Sequence, residues 1–393
     1  MRILNIGFDK TLAGGRGLGD AVGRHREYGQ HLESLDIIVY TTKVEGLTQH
    51  FKISDNVTGY PSNSSSKLSF IWDTLELAKS VHLEHPFDII VAQDPLGAGL
   101  IGYLLKRKFG CKLQINFHGD YWDNDYWRHK SFIYSLLIPV SRFWVKRADG
   151  VRVVSEGIKK KLMVNGISES KIAVLPTPVN FSDFSSPDQN EVAKLRQQFT
   201  GKRVILHAGR HTAEKNLEAL IDHFPSIIQQ VPAAALVLAG EGPLTQPLKS
   251  QVAKLGLTQK VMFIGPVGPQ ILACYMAICD IFVLPSHTES FGKVLIEAAL
   301  AGKPVVATAT TGASEIVEDG KSGYLVLVAD IGKLGERIVE LLNNPDQASK
   351  MGEYANQLVR AKFNREHIIK GIIDFWKKLV NTKTAKGNAK NAK

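Results

Sequence analysis

The feature that most constrains the fold is an alternation of short apolar runs with longer amphipathic stretches along most of the 393 residues. This alternation is typical of βαβ units on a parallel sheet. It occurs as two similar sets in tandem, so we expect two Rossmann-like α/β domains. The predicted strands are residues 2–7, 36–40, 88–92, 112–116 and 150–154, then 203–207, 234–239, 261–264, 281–284 and 304–307.

A turn-rich junction separates the two sets. Residues 176–201 contain three prolines and several serines, which favour turns over regular structure. We therefore predict a first domain at 1–180 and a second at 181–364. Residues 365–380 carry one apolar stripe and are predicted to form a helix that returns to the first domain. Residues 381–393 are poor in apolar side chains, and a disordered basic tail is expected there.

Composition indicates a soluble globular protein, because 44% of the residues are hydrophobic and 22% are charged. No apolar run reaches the roughly 18 residues of a membrane-spanning helix. The three cysteines (Cys111, Cys274 and Cys279) lack the spacing of a disulfide framework, which suits a reducing cytoplasm. A cytoplasmic location is therefore expected.

The net charge of +10 is concentrated at the end of the chain. The last 17 residues hold six lysines and no acid, which leaves +4 for the rest when six is subtracted from ten. Such a tail can attract anionic partners or can simply be solvated. Nucleic-acid binding is not expected, because no binding module combines basic and aromatic side chains.

The segment that follows the predicted strand 281–284 carries two glutamates eight positions apart, Glu289 and Glu297. A helix is expected to begin near Gly292, where unpaired backbone N–H groups suit a diphosphate. If the whole segment were helical, the carboxylates would lie about 12 Å apart along the axis. Carboxylates accept hydrogen bonds from pairs of hydroxyl groups, so each glutamate could bind a polyol. A nucleotide sugar has this layout, with a sugar at one end, a ribose at the other and a diphosphate between them. The alternative is an ordinary surface helix with two glutamates.

Several short motifs in and around this segment point to one enzyme family. The stretch 289–326 resembles the signature of family 4 retaining glycosyltransferases of the GT-B fold, with E-x7-E followed by AGKPVVA, GASE and DGKSGYLV. Upstream, residues 208–210, 215–216, 239–243 and 263–267 match the family in the same order. The resemblance covers most of residues 200–330 and is weaker in the first domain. It implies two Rossmann-like domains that face each other across a cleft, with the last helix packed back on the first.

The resemblance also implies roles for particular residues on the donor side. Glu289 would hold sugar hydroxyls and Glu297 the ribose. The backbone would bind the diphosphate at Phe291 and Gly292, and the base near Val267. The cationic side chains expected to neutralise the leaving diphosphate are Arg210 and Lys215.

In the first domain, the resemblance assigns an active-site role to His118, at the end of the predicted strand 112–116, over the reacting sugar carbon. The loop at 13–20 resembles the family's first glycine-rich loop and is richer in glycine than the usual Gly-Gly turn. Gly14 and Gly15 are its candidate phosphate-binding residues. A glycine-rich loop after a first strand is also common to many dinucleotide-binding folds.

By this resemblance, the chain would be a retaining, metal-independent hexosyltransferase. It would use a UDP- or GDP-sugar as substrate, need no cofactor, and act on a glycan or lipid-linked hydroxyl acceptor in glycan, glycolipid or cell-envelope polysaccharide synthesis. A sugar-nucleotide epimerase of the same fold is the alternative. Asp123-Asn124-Asp125 matches a metal motif of another glycosyltransferase fold, but aromatic residues surround it, so we interpret it as an acceptor-side loop or solvated turn.

Aromatic and basic residues cluster around one predicted helix in the last third of the first domain. Two interpretations stay open: a surface that contacts the inner face of an anionic membrane, or a core helix with charged ends. The first would make the protein peripheral to the membrane. The residues are Trp127, Arg128, Lys130, Phe132, Trp144, Lys146 and Arg147.

Overall fold

The chain folds into two compact α/β units. The computed structural model describes residues 1–12, 21–45, 47 and 50–388. One unit comprises Met1–Pro178 together with Glu366–Lys393, and the other comprises Val179–Arg365. The boundary therefore lies inside the turn-rich junction, and the chain returns to the first unit at its end.

In the described part of the first unit, the strands form one eight-stranded sheet with the order β3-β4-β2-β1-β5-β6-β7-β8. Every pairing is parallel except that of β3 with β4. The strands are β1 (Arg2–Gly7), β2 (Ser34–Val39), β3 (Phe51–Ser54), β4 (Val57–Pro61), β5 (Ile89–Ala92), β6 (Lys112–Phe117), β7 (Gly150–Val153) and β8 (Ile172–Val174).

The second unit has a six-stranded parallel sheet over its described residues, with the order β11-β10-β9-β12-β13-β14. The interior strands β10 and β12 are wholly buried, as expected for a sheet covered by helices on both faces. The strands are β9 (Arg203–Ala208), β10 (Ala234–Ala239), β11 (Val261–Gly265), β12 (Ile281–Leu284), β13 (Val305–Thr308) and β14 (Gly323–Val326).

The sequence did not predict four of these strands: β3, β4, β8 and β14. Three of them lie at the edges of their sheets, and β4 lies next to an edge. Both β3 and β8 contain no fully buried residue. A short edge strand that is only half-buried lacks the continuous apolar run that marks a central parallel strand.

Helices connect the strands and cover the sheets. In chain order they are α1 (Ala21–Gly29), α2 (Ser69–Glu84), α3 (Gly97–Phe109), α4 (Asp125–His129), α5 (Phe132–Val145), α6 (Glu156–Val164), α7 (Phe181–Ser185), α8 (Gln189–Gln198), α9 (Leu217–Gln230), α10 (Thr245–Lys254), α11 (Pro269–Ile278), α12 (Lys293–Leu300), α13 (Ala313–Ile316), α14 (Ile331–Asn343), α15 (Pro345–Lys362) and α16 (Arg365–Asn388). No helix in the described ranges is long and apolar enough to cross a membrane.

The last helix, α16, packs on the first unit through the apolar stripe that the sequence shows. Trp376 meets the ring of Tyr28 edge-on at 5.4 Å. A Cβ added to Gly150 would come within 2.8 Å of both Phe375 and Leu379, so these side chains lie directly against β7. The buried members of the stripe are Ile368, Ile369, Ile372, Ile373, Trp376 and Leu379.

The sequence predicts a disordered tail from residue 381, whereas the structure describes α16 as continuing to Asn388. The Thr382 hydroxyl donates to the carbonyls of Lys378 and Leu379, which extends the helical turn past the packed stripe. No proline interrupts the stretch, so helix propagation from an anchored segment costs little. Residues 389–393 lie outside the described residues.

The strand order brings particular loops together. In the first unit, Ile6 pairs with Ala92 and Ala92 with Ile115, so the carboxyl ends of β1, β5 and β6 are adjacent. In the second unit, β9 lies between β10 and β12. Ligands bind at the carboxyl ends of such strands, so these two edges position the candidate site residues.

Candidate functional site

The loops after β9 and β12 hold a partly buried ion pair in the second unit. Lys215 Nζ lies 2.5 Å from Glu289 Oε2, and the two side chains are only 15% and 17% exposed. The His287 N–H donates to the Glu214 carbonyl at 2.9 Å, which ties the two loops together beside this pair. The structure thus brings together a predicted phosphate-binding cation and a predicted sugar-binding carboxylate that are 74 positions apart in the sequence.

Gly292 forms the turn between Glu289 and the helix that follows. Its φ of +83° lies in the left-handed region, and an added Cβ would lie 2.9 Å from Leu295 Cδ1. The helix α12 begins only at Lys293, so the fully helical geometry considered for residues 289–297 is wrong. The turn is non-helical because a left-handed residue cannot continue a right-handed helix. The first N–H groups of α12 still point back toward the turn.

Glu297, the second glutamate, lies within α12 and is buried. Lys293 Nζ is 3.1 Å from its Oε1, an i,i+4 contact along the helix. Both glutamates therefore lie beside a lysine. Each lysine retains N–H donors beyond the one directed at its carboxylate, and these can serve an anionic ligand.

A second glycine loop supports the turn that precedes α12. The Gly312 N–H donates to the Glu289 carbonyl at 2.7 Å. A Cβ on Gly312 would fall 2.4 Å from the Phe291 nitrogen, so only glycine permits this approach. The Phe291 ring is buried and packs 5.7 Å from the ring of Phe363. Side-chain packing and a backbone contact thus fix the position of the Phe291–Gly292 backbone.

Arg210 and Val267 follow two strands of the same sheet, β9 and β11, which lie on either side of β10. Arg210 follows β9, and its Nη2 lies 2.9 Å from Glu214 Oε1 while 75% of the side chain stays exposed. Val267 follows β11 and is half-buried. A Cβ on Gly240 would fall 2.0 Å from the Gly209 carbonyl oxygen, so the turn after β10 lies directly against the Arg210 loop.

His207 is a site neighbour that the sequence did not reveal, because a histidine inside an apolar strand resembles a core residue. Its Nδ1 lies 3.1 Å from the Val283 carbonyl. Burial lowers the pKa of the His207 imidazole to about 3. A Cβ on Gly209 would lie 3.3 Å from His207 Nε2 and 3.6 Å from Lys215 Cε, so the ring borders the lysine. A neutral ring there adds no positive charge beside Lys215.

In the first unit, His118 follows β6 directly, as predicted. Its Nε2 lies 2.8 Å from Gln93 Oε1, while the side chain remains exposed on another side. Desolvation by the surrounding protein lowers the pKa of His118, and the positive charge of Arg152 lowers it further. The imidazole is therefore neutral near pH 7. Gln93, which contacts it, was not predicted as a site residue.

Gly14 and Gly15, the candidate phosphate-binding glycines of the first loop, lie outside the described residues. The Asp123-Asn124-Asp125 turn is described. Asp123 accepts hydrogen bonds from Arg142 at 2.9 Å and from Asn165 at 2.5 Å, and the Asn124 side chain caps α4. These contacts stabilise the turn.

Two residues of the predicted membrane-facing cluster, Phe132 and Trp144, lie on α5, and the side chains of this helix divide between two faces. Trp144 is buried, and its indole N–H donates to the Pro95 carbonyl at 2.6 Å. Including Trp144 in a surface cluster was therefore wrong, because its side chain belongs to the core between α5 and α3. Another face of α5 is apolar and exposed, through Phe132, Ile133, Leu136, Val140 and Phe143.

Comparison with known proteins identifies the family. The family model described as "Glycosyltransferase Family 4" matches residues 26–183, and the one described as "Glycosyl transferases group 1" matches residues 188–358. A GDP-mannose-dependent alpha-(1-6)-phosphatidylinositol monomannoside mannosyltransferase from Mycolicibacterium smegmatis is 30% identical over an alignment of 282 residues that covers 68% of this chain and 71% of that protein. The chain belongs to glycosyltransferase family 4.

Other family 4 relatives differ in how much of their length is matched. An alpha-monoglucosyldiacylglycerol synthase from Streptococcus pneumoniae is 28% identical over 64% of this chain, and the match spans 57% of the synthase. The capsular polysaccharide biosynthesis glycosyltransferase CapM from Staphylococcus aureus is 28% identical over 86% of this chain and 88% of that protein. The chain thus spans less than two thirds of the first of these relatives.

Solved structures with a similar fold cover almost the whole chain. Sucrose-phosphate synthase from Thermosynechococcus elongatus superposes with a TM-score of 0.84 at 21% identity, over 97% of this chain and 99% of that one. Anabaena HepE, solved in complex with UDP-glucose, gives a TM-score of 0.78 at 21% identity, over 96% and 100%. These neighbours establish the GT-B fold.

Proposed function

We propose that this family 4 protein transfers a hexose from a UDP- or GDP-sugar to a hydroxyl acceptor. The observation that carries the proposal is the partly buried Lys215–Glu289 pair beside the Gly292 turn and the start of α12. Cation, carboxylate and helix N-terminus together suit a sugar joined to a diphosphate. The M. smegmatis relative is named for GDP-mannose and the HepE structure contains UDP-glucose, so both bases are represented among similar proteins.

In this proposal, each group of the second unit has a separate task. Glu289 accepts hydrogen bonds from sugar hydroxyls and Glu297 from the ribose. The backbone at Phe291 and Gly292 donates to the diphosphate. The remaining N–H donors of Lys215 and the exposed guanidinium of Arg210 stabilise negative charge as the diphosphate leaves.

We further propose that the transfer retains the anomeric configuration and needs neither a metal ion nor a cofactor. The acceptor attacks from the face that the diphosphate leaves, and the diphosphate takes the acceptor proton. His118, which is neutral at pH 7, contacts the transferred sugar. Lys215 and Arg210 supply the positive charge that a metal would otherwise provide.

For the acceptor, we propose a glycan or lipid-linked hydroxyl presented at the inner face of a membrane, with which the protein associates peripherally. The exposed apolar face of α5 supports this, because basic residues flank it on both sides. Arg128 and Lys130 precede the helix, and Lys146 and Arg147 follow it, all four exposed. The S. pneumoniae and M. smegmatis relatives are named for lipid products or substrates.

A panel of UDP-, GDP- and ADP-sugars in a thermal-shift assay tests donor binding. The correct donor at 100 times its dissociation constant stabilises the folded state by about 2.7 kcal/mol.

Glu289→Ala removes charged hydrogen bonds worth about 1.5–3 kcal/mol each, so we expect turnover to fall at least about tenfold. Glu218→Ala, an exposed glutamate of the same unit, is the matched control.

The reaction product distinguishes a glycosyltransferase from a sugar-nucleotide epimerase. With donor and acceptor present, NMR of the new linkage should show the anomeric configuration of the donor. An epimerase would instead convert the nucleotide sugar with no acceptor present. Normal transfer by Glu289→Ala, or conversion of the donor in the absence of an acceptor, would contradict the proposal.

A further inference from the structure

A continuous chain of hydrogen-bonded side chains crosses the carboxyl ends of β1 and β5 in the first unit. It starts at the Ala21 carbonyl, 2.7 Å from His25 Nδ1. His25 Nε2 is 3.0 Å from Asn5 Nδ2, and Asn5 Oδ1 accepts from Gln93 Nε2 at 2.7 Å. Gln93 Oε1 lies 2.8 Å from His118 Nε2. Asn5 and His25 are buried, where an unsatisfied polar group would be costly.

The direction of every bond in this chain follows from its first member. A backbone carbonyl can only accept, so His25 Nδ1 carries a proton. Burial lowers the pKa of His25 to about 4, so the ring is neutral near pH 7 and its Nε2 must accept. Asn5 therefore turns its amide NH2 toward His25 and its oxygen toward Gln93. Gln93 in turn presents its oxygen to His118.

A second set of contacts on the other side of Gln93 agrees with the orientation that His25 and Asn5 set. Residues 114, 116 and 118 alternate along and just past β6, so their side chains share one face. Gln114 Nε2 donates to Asn116 Oδ1 at 2.8 Å, and Asn116 Nδ2 donates to Gln93 Oε1 at 3.1 Å. Reversing the Gln93 amide would place two NH2 groups against each other, which disfavours the reversal.

Local packing also restrains the Gln93 side chain. A Cβ added to Gly7 would lie 3.1 Å from Gln93 Cγ, so the stem of Gln93 runs over the glycine that ends β1. Glycine at this position leaves the room that the stem needs. The amide is therefore held by hydrogen bonds at both of its ends and by contact along its stem.

We infer that Gln93 is a positioning residue that holds His118 as the Nε2–H tautomer and leaves Nδ1 as the ring nitrogen that accepts a hydrogen bond from the substrate. His118 Nε2 must donate, because Gln93 offers it an oxygen. In a neutral ring the other nitrogen then carries the lone pair. This inference rests on the proposed contact between His118 and the transferred sugar.

The tautomer can be measured without substrate, by long-range 1H–15N correlation NMR on the full chain labelled with [15N]histidine. The shifts of the two ring nitrogens separate Nε2–H from Nδ1–H. We expect the wild-type His118 to be Nε2–H. In Gln93→Met the acceptor is lost, so a mixture of tautomers is expected. Gln30→Met, an exposed glutamine of the same unit, should leave the His118 signals unchanged.

Gln93→Glu provides an independent test if the methionine variant does not fold. Its carboxylate still accepts from His118 Nε2–H, so the tautomer should be kept, while the negative charge raises the pKa of His118. A dominant Nδ1–H form in the wild type, an unchanged tautomer in folded Gln93→Met, or an unchanged His118 titration in Gln93→Glu would each overturn the inference.

Turnover separates this inference from the proposed function. For Gln93→Met, we expect kcat to fall on the order of 100-fold, as misplaced reacting groups do, with a smaller change in the KM for the donor. Gln93→Glu should recover part of kcat. If His118→Ala transfers sugar normally while Gln93→Met still changes the tautomer, the tautomer assignment stands and the proposed role of His118 fails.

Discussion

Gly292 shows how one residue can decide the shape of the donor site. Its positive φ turns the chain from the Glu289 loop into α12, and its would-be Cβ meets both Leu295 and Glu289 Cγ. Gly312 acts differently, because it lets a second loop approach the Phe291 backbone. Both residues are glycine for steric reasons that can be located in the structure.

Gly292→Ala is expected to destabilise the protein. Forcing a side chain into the left-handed region costs about 1–2 kcal/mol, and the contact with Leu295 adds to this. The urea midpoint, followed by circular dichroism, should therefore fall. Gly332→Ala is the matched control. Its Cβ meets only Asp330 Oδ1 at 3.7 Å, and alanine favours a helix over glycine by up to about 1 kcal/mol. Equal midpoints for the two variants would argue against the steric role of Gly292.

The sequence predicted site residues that belong to contiguous motifs, such as Glu289, Gly292 and Lys215, and the structure places these three close together. It did not find Gln93 or His207, which lie in or directly after apolar strands. A polar residue there looks the same in the sequence whether it serves a site or only fills a buried hydrogen bond. What distinguishes it is its neighbour on the adjacent strand, and only the fold supplies that neighbour.

At the scale of single elements, α5 illustrates what a helical pattern leaves undecided. It is apolar on more than one face, so its sequence alone did not separate a membrane-facing helix from a core helix. The structure shows one buried face and one exposed face: Ile138 and Trp144 are buried, while Ile133 and Leu136 are exposed. The packing partner α3 decides which side chains enter the core.

The double variant Ile133→Gln/Leu136→Gln tests the exposed face of α5. If these side chains enter the acyl boundary of a membrane, removing them should weaken binding to vesicles that contain phosphatidylglycerol by at least about tenfold. Co-sedimentation at low salt measures this. Leu327→Gln, an exposed leucine of the second unit, is the control. Equal binding by the double variant and the wild type would reject the membrane-facing role of α5.

At the scale of the whole molecule, each unit contains a buried histidine whose pKa is lowered by burial: His25 in the first and His207 in the second. These rings stay neutral when folded but bind a proton once unfolded below about pH 6.5. Because the unfolded state then binds more protons, the free energy of unfolding falls as pH falls. Tryptophan fluorescence reports on the unfolding of the first unit, because all five tryptophans belong to it: Trp72, Trp122, Trp127, Trp144 and Trp376.

His25→Gln should make the stability of the first unit less dependent on pH. Between about pH 4 and 6.5, His25 contributes about 1.4 kcal/mol per pH unit to that dependence. Urea unfolding followed by tryptophan fluorescence at several pH values measures the slope. The variant is less stable at pH 7 because Asn5 loses its buried partner. His85→Gln, an exposed histidine, should keep the wild-type slope, and an unchanged slope in His25→Gln would contradict the assignment.

The sequence by itself determined two α/β domains, the central strands, the returning helix and the donor-side motifs, because hydrophobic periodicity and short motifs are local properties. Tertiary structure decided which residues meet across the sheets. In the folded protein Lys215 forms an ion pair with Glu289, and Gln93 contacts His118. The Trp144 side chain is buried, and α16 continues to Asn388. Strand order and helix packing create these contacts, and the spacing of residues along a single helix or strand predicts neither of them.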